Sequence, residues 1–465
     1  MIVNEPALKR GAVYLSRIIL AGLLGLLVWN SKALLFAASS SVPKEAQAAF
    51  DKQQYQQALD VLARLDSAKS AVPDVRRLKA RSLVRVGKPK EALEEYDQLE
   101  GSLKQDDEPL LREVALGFIV VLVKDMREQM RGAAYTALKE IDSEEVVPYF
   151  EDGLSDGSAA VRALAVEGLG RSEAGRKSKK LRGALEDQAG LVKARVVKVL
   201  GKSGDPSVIP LLEAATKDEQ PSVRIAAYAG LLRFGRKEAW NQLRQAADAP
   251  NPEDRAEALR AIADLKDQRG SSLMTGLLTY TQPSVRGAAA RGLGHLGYVE
   301  ARGKIESLLM DPIPAVREAA ASGLAELGGK ESVPVLTKSL TDTAVTVRAS
   351  VVAALLQLGE PFQVVAPTVS AMTRQNDIAV RASAAHALGK ATQPNVNGAI
   401  SILASLAIDP LPGPKIVALR SLGHIGNRGV IPIAKDAMHD TNEAVRATAG
   451  GALLHLLAEK SHSGQ

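Results

Sequence analysis

The 465-residue chain has no cysteine, which excludes a disulfide framework, thiolate metal sites, a thiol nucleophile and a lipid-modified cysteine anchor. Aromatic residues make up only 3% of it, too few for the base stacking on which single-stranded nucleic acid binding relies. There is no Walker loop, no G-x-S-x-G elbow and no dinucleotide fingerprint following a strand, so the marked routes to phosphate, acyl and hydride chemistry are missing. Histidine is sparse, with six in all, and none is followed by glutamate. A strong excess of one charge is lacking too. The 59 basic and 53 acidic residues leave a net +6, which permits an anionic partner without demanding one.

The residues present are mostly small and aliphatic, in a chain longer than one compact core supports. The N-terminus has the order of an export signal: Lys9, Arg10 and Arg17 precede the apolar run Ile18 to Trp29, a second run extends from Ala33 to Ala38, and Ser39 opens a polar stretch. Taken as one helix, residues 18–38 are about 30 Å long, enough to span a bilayer as a retained anchor. Basic residues ahead of the run place the remainder of the chain outside the cytoplasm. The expectation is therefore an exported protein, periplasmic and anchored to the inner membrane by residues 18–38, with residues 1–43 as signal or anchor.

Residues 44–104 carry two copies of a helical hairpin end. Tyr55 to Leu65 aligns with Pro89 to Leu99, and Ala58 and Ala92 lie thirty-four positions apart, the tetratricopeptide period. The segment resembles that family in the turn Val86-Gly87-Lys88-Pro89, the small alanine and the bulky residue four further on. It departs at Gln53, where the family prefers glycine, and at Pro89, where it prefers tyrosine. Two copies read as a helical cap on the adjoining array.

From Met130 onward a longer repeat appears, marked by a basic anchor that usually comes after valine. The anchors are Arg131, Arg162, Lys193, Arg224, Arg255, Arg286, Arg317, Arg348, Arg381, Lys415 and Arg446, spaced by 31 residues except for 33 and 34 around Arg381. Seven positions after each stands leucine or isoleucine, from Leu138 to Leu453, and the apolar stripe has helical spacing. Glycine at anchor plus eleven (Gly204, Gly235, Gly297, Gly328, Gly359, Gly426) marks the end of that second helix. Proline fourteen before the anchor (Pro148, Pro210, Pro334, Pro367, Pro432) marks the first turn of the helix before it. Aspartate six before the anchor, as in Asp156, Asp187, Asp311 and Asp342, is placed to cap the second helix or bridge to an anchor of its own or a neighbouring repeat.

This pattern, as in Asp311-Pro-Ile-Pro-Ala-Val-Arg-Glu-Ala-Ala-Ala-Ser-Gly-Leu, resembles the short HEAT repeats of the phycobilisome-lyase type. The resemblance implies an all-α, right-handed α-solenoid of about eleven hairpins over residues 105–460; the tetratricopeptide-like cap and the hydrophobic N-terminal helix are expected ahead of it and a disordered tail at 461–465 after it. It also implies that the Asp and Arg form a structural ladder. HEAT-type hydroxylases hold iron with His-Glu pairs just after the anchor, and those positions here read Arg286-Gly287-Ala288 and Arg317-Glu318-Ala319. No metal, cofactor or catalytic residue is expected. A bilin-lyase-like subunit is the alternative that the family allows.

The expected function is a non-catalytic scaffold that binds protein partners on its concave face. Positions five and nine after the anchor project from the apolar stripe, one turn apart. They supply Lys198, Lys202, Arg233, Arg260, Arg291, His295, His386, Lys390, Arg420 and His424, a basic tendency interrupted by Glu140, Glu167, Asp264 and Glu326. Eleven repeats at about 8 to 10 Å each predict a surface on the order of 100 Å long, suited to an acidic protein segment. A second basic run, Arg171 to Arg182, would face anionic lipid in an anchored chain. Nucleic acid is disfavoured as a partner.

Overall fold

The structure is a computed structural model that describes residues 42–141 and 143–458. The export or anchor segment read in residues 1–43, as far as residue 41, and the tail 461–465 lie outside the described residues. Every regular element among the described residues is helical, and no helix among them is long and apolar enough to cross a membrane. The chain divides into two compact units between Leu110 and Leu111.

In the first unit the helices Lys44–Asp51, Tyr55–Leu62, Pro73–Arg85 and Pro89–Leu103 pack pairwise in chain order. Ala58 and Ala92, the small residues aligned in sequence, are both fully buried where neighbouring helices meet. The turns ahead of their helices share one geometry, with Gln53 at φ 61° and Gly87 at φ 77°. Tyr96 is buried and donates its hydroxyl to Asp106 at 2.6 Å.

The second unit is built from the eleven repeats. Their second helices are Glu128–Leu138, Ala159–Leu169, Gly190–Gly201, Pro221–Arg233, Pro252–Asp264, Pro283–Leu296, Pro314–Leu327, Val345–Gln357, Ile378–Leu388, Pro412–Ile425 and Glu443–Leu457. Each packs on the next, and the last packs on the first, so the array is a closed ring. All six glycines expected at helix ends have positive φ, between 67° and 78°. Four of the five prolines sit in the first turn of the outer helix. Pro367 differs: it lies inside Phe362–Thr373, because the longer spacing before Arg381 lets that helix start a turn earlier.

Closure departs from the extended surface that the sequence suggests, and the side chains explain it. Inner helices bury alanine and glycine, as in Pro283–Leu296 and Pro314–Leu327, so their backbones approach closely. Outer helices insert Phe150, Leu212, Leu243, Met274 and Leu336 beneath them. Each hairpin is thus a wedge, narrow inside and broad outside. Eleven helices at about 9 Å spacing then lie on a circle roughly 30 Å across.

The seam is sequence-specific. In Glu443–Leu457 every residue except Glu443 and His455 is buried, whereas the end repeat of an open array keeps a polar outer face. A Cβ on Gly450 would stand 2.6 Å from the carbonyl oxygen of Ala115, and one on Gly451 would stand 3.0 Å from that of Ala137. Arg127 reaches Glu443 at 2.5 Å, His424 Nε2 meets Glu140 at 2.6 Å, and His455 Nδ1 meets the Glu140 carbonyl at 3.0 Å.

Between repeats the anchors form a ladder. Arg131, Arg162, Arg286, Arg317 and Arg381 each hold both carboxylate oxygens of the aspartate in the next repeat, at 2.6 to 3.1 Å. Their remaining nitrogen donates to two carbonyls of the loop in their own repeat. Each aspartate also accepts the main-chain N–H two residues on, so it fixes its own turn while receiving the neighbour. Lys193 and Lys415 make the same step with one contact each, at 2.5 and 2.6 Å.

Candidate functional site

The ring encloses a lumen whose lining comes from the inner helices. Residues one, two, five and nine after the anchor face it, because these positions lie opposite the apolar stripe on a helix of 3.6 residues per turn. Two lobes of about 570 and 620 Å³ share Arg291 and Glu326. The first takes in Lys198, Arg260, Arg291 and His295; the second takes in Arg291, His386, Lys390 and Arg420. Lys202 and Arg233 sit beside the first lobe around Asp264. His424 is at the seam on Glu140.

Geometry shows what the interrupting acids do to the basic tendency read along the repeats. Asp264, which interrupts the pattern in sequence, is where the basic residues of two earlier repeats converge. Lys198 is 2.8 Å and Lys202 3.7 Å from its carboxylate, and Arg233 donates to its main-chain oxygen at 2.9 Å. Burial alone would raise the Asp264 pKa, but Lys198, Lys202 and Arg233 together hold it below the usual carboxylate value. The same crowding lowers Lys202, chiefly by burial, against the pull of Asp264. Arg260 is tied to Glu257 at 2.8 Å and His295 to Glu326 at 2.9 Å. Lys198, Lys202, Arg233 and Arg260 are therefore partly neutralised by acids within one or two repeats, while the His295 and His424 rings are hydrogen-bonded to Glu326 and, across the seam, to Glu140.

The second lobe is different. Among the described residues no carboxylate forms an ion pair with Arg291, Lys390 or Arg420. His386 stands between the last two; crowding by protein atoms, then the charges of Lys390, Arg420 and His424, push its pKa below the ordinary imidazole value. The acids in this lobe are Glu318 and the His295-bound Glu326. The intervening wall is alanine with Thr346, Ser350 and Gln357.

Among the described residues no group of three or more His, Cys, Asp or Glu is placed to hold a metal ion. His424 and His455 face each other edge to face at 6.3 Å, but both are engaged by Glu140. Half of the basic residues in the run from Arg171 to Arg182 are paired with carboxylates, Lys177 on Glu173, Lys180 near Glu151 and Asp152, and Arg182 on Asp205.

No curated protein matches the chain. Its fold is similar to that of human deoxyhypusine hydroxylase, with 19% identity over 56% of this chain and 99% of the other and a TM-score of 0.30. It is similar as well to the CpcE–CpcF phycocyanin lyase of Nostoc sp. PCC7120, with 20% identity, 55% and 96% coverage and a TM-score of 0.31. Kap121p bound to Ste12p matches 90% of this chain with 56% of its own length, at 15% identity and a TM-score of 0.37. The HEAT-repeat profile matches in five overlapping stretches, 115–193, 178–263, 240–309, 271–356 and 305–389, which together take in more than half of the sequence. The chain is a member of the HEAT-repeat family.

Proposed function

We propose that this protein is a non-catalytic scaffold that receives an acidic segment of a partner protein inside its ring. The observation that carries this reading is the second lobe, where Arg291, Lys390 and Arg420 face the lumen without an ion-pair partner among the described residues. Unsatisfied cations in a partly enclosed site attract and orient an anionic partner. On this reading the chain is exported and tethered by residues 18–38, and the partner belongs to the same compartment.

The test uses a photo-crosslinking amino acid at Ser350, in the lumen, or at Thr337, exposed on an outer helix. Crosslinking in intact cells followed by mass spectrometry should give a discrete adduct from position 350 and none from 337. Equal adducts from both positions, or none from the lumen, would count against binding inside the ring.

A further inference from the structure

Lumen charges fall into two sets by whether the fold already answers them. In the first lobe Lys198, Arg260 and His295 are each held by a carboxylate. In the second, Arg291, Lys390 and Arg420 come from repeats six, nine and ten and converge on one cavity of about 620 Å³ with no carboxylate at ion-pair distance among the described residues, although Arg420 also acts on Glu140 at the seam from beyond that distance. That volume is in the range of a ligand cleft, roughly 300–1,000 Å³, and so admits a slender segment rather than a folded domain.

The lining narrows the ligand further. Among the described residues no aromatic side chain other than imidazole lines either lobe, so they offer a nucleobase no stacking surface. Neither lobe has a large apolar pocket to seat a hydrophobic anchor. Between the cations, Thr346, Ser350 and Gln357 among alanines let a main chain come close and offer it hydrogen bonds. Arg291 and Arg420 lie on two inner helices, Lys390 lies in the turn just past a third, and Arg291 continues into the first lobe. Several spaced anionic groups on one extended backbone match this arrangement better than a single compact anion.

We infer that the second lobe is a binding site for an extended acidic peptide, whose carboxylates lie on Arg291, Lys390 and Arg420. This rests on the proposed function and deepens it: the partner segment is bound as an extended backbone, its carboxylates spaced to meet cations from three repeats. It also assigns Lys198, Lys202 and Arg233, which converge on Asp264 across repeats, to holding the ring rather than to the ligand, and leaves Arg260 paired within its own helix.

The experiment measures fluorescence anisotropy of a labelled peptide of alternating Glu and Ser with the full chain. The triple variant Arg291→Ala, Lys390→Ala, Arg420→Ala should weaken binding by about a hundredfold, since truncating charge contacts commonly costs this much. The neutral double variant Glu257→Gln, Arg260→Gln should stay within about twofold, the range of a paired surface charge. A Gln–Ser peptide should not bind. Melting temperatures of the variants separate lost binding from lost folding. Equal binding by the triple variant, or no peptide binding at all, overturns the inference, while lumen crosslinking to a partner would leave the proposed function standing. Tripolyphosphate binding as tightly as the peptide also overturns it, in favour of a small polyanion.

Discussion

At the scale of single residues, Gln53 occupies a backbone position that its periodic counterpart gives to glycine. Gln53 and Gly87 are thirty-four positions apart, and both have positive φ. Each donates its N–H to a carbonyl three residues back, Phe50 and Val84 respectively. A side chain in the left-handed region costs roughly 1–2 kcal/mol, against which glycine adds chain entropy of about 0.5–1 kcal/mol when unfolded. Gln53→Gly should therefore stabilise the first unit by up to about 1 kcal/mol, measured by urea unfolding; a loss of stability would show that the Gln53 side chain contributes contacts worth more than the strain. The position was legible in sequence as a departure from the tetratricopeptide pattern. Asp264 was not legible in this way. Its role depends on Lys198 two repeats earlier and Arg233 one repeat earlier, and such convergence across a curved wall has no signature in linear spacing.

At the scale of elements, the helix pairs and their boundaries follow from the anchor, its leucine and the closing glycine, since these satisfy purely local demands. The ladder was half legible. The Asp–Arg register predicted a bridge but left its direction open, and the structure sends each bond to the next repeat. This gives the chain an acid-sensitive limb. Asp156, Asp311, Asp342, Asp409 and Asp440 are raised by burial, but the basic partner and the main-chain N–H lower them more, and all end below 3.8. For Asp187, Arg162 is the leading influence and acts in the same direction. A depressed folded pKa contributes stability that is complete above the unfolded value, near 4, and is lost as pH falls through the folded value. Thermal stability should accordingly be flat from pH 7 to about 5 and fall below pH 4. Asp342→Asn should lower the melting temperature at pH 7 and flatten that acid limb, while an unchanged limb would mean that the ladder is not its source. Where the ladder lapses, other contacts take over, as where Arg255 lies over the Tyr280 ring at 4.5 Å.

For the whole molecule, the ring depends on a seam unlike the ten other junctions. At anchor plus four and five, where earlier repeats carry pairs such as Leu259-Arg260 or Leu419-Arg420, the last repeat has Gly450-Gly451. Arg446, in the place of a ladder donor, lies 5.9 Å over Phe118, while Asp125 is held by Arg127 and pulled down to about 2. The signal was present in sequence as a final helix nearly free of charge, but a terminal repeat is recognised as buried only once its neighbour is known. Gly451→Val would overpack the junction, at a cost of about 1–3 kcal/mol. Because the chain has no cysteine, Arg127→Cys with Glu443→Cys and a short bismaleimide reports the seam alone. Crosslinking should be efficient in that pair and severalfold slower when Gly451→Val is added; equal rates would mean that the glycines do not govern closure. Closure also turns the number of hairpins into a structural quantity. An open stack can lose or duplicate a unit and only change length, whereas here one unit fewer or more would leave the two ends out of reach or overlapping. The count of eleven is thus under the same physical constraint as a bond length, and the variation that open arrays absorb in copy number must here be taken up within single units, as in the longer spacings around Arg381.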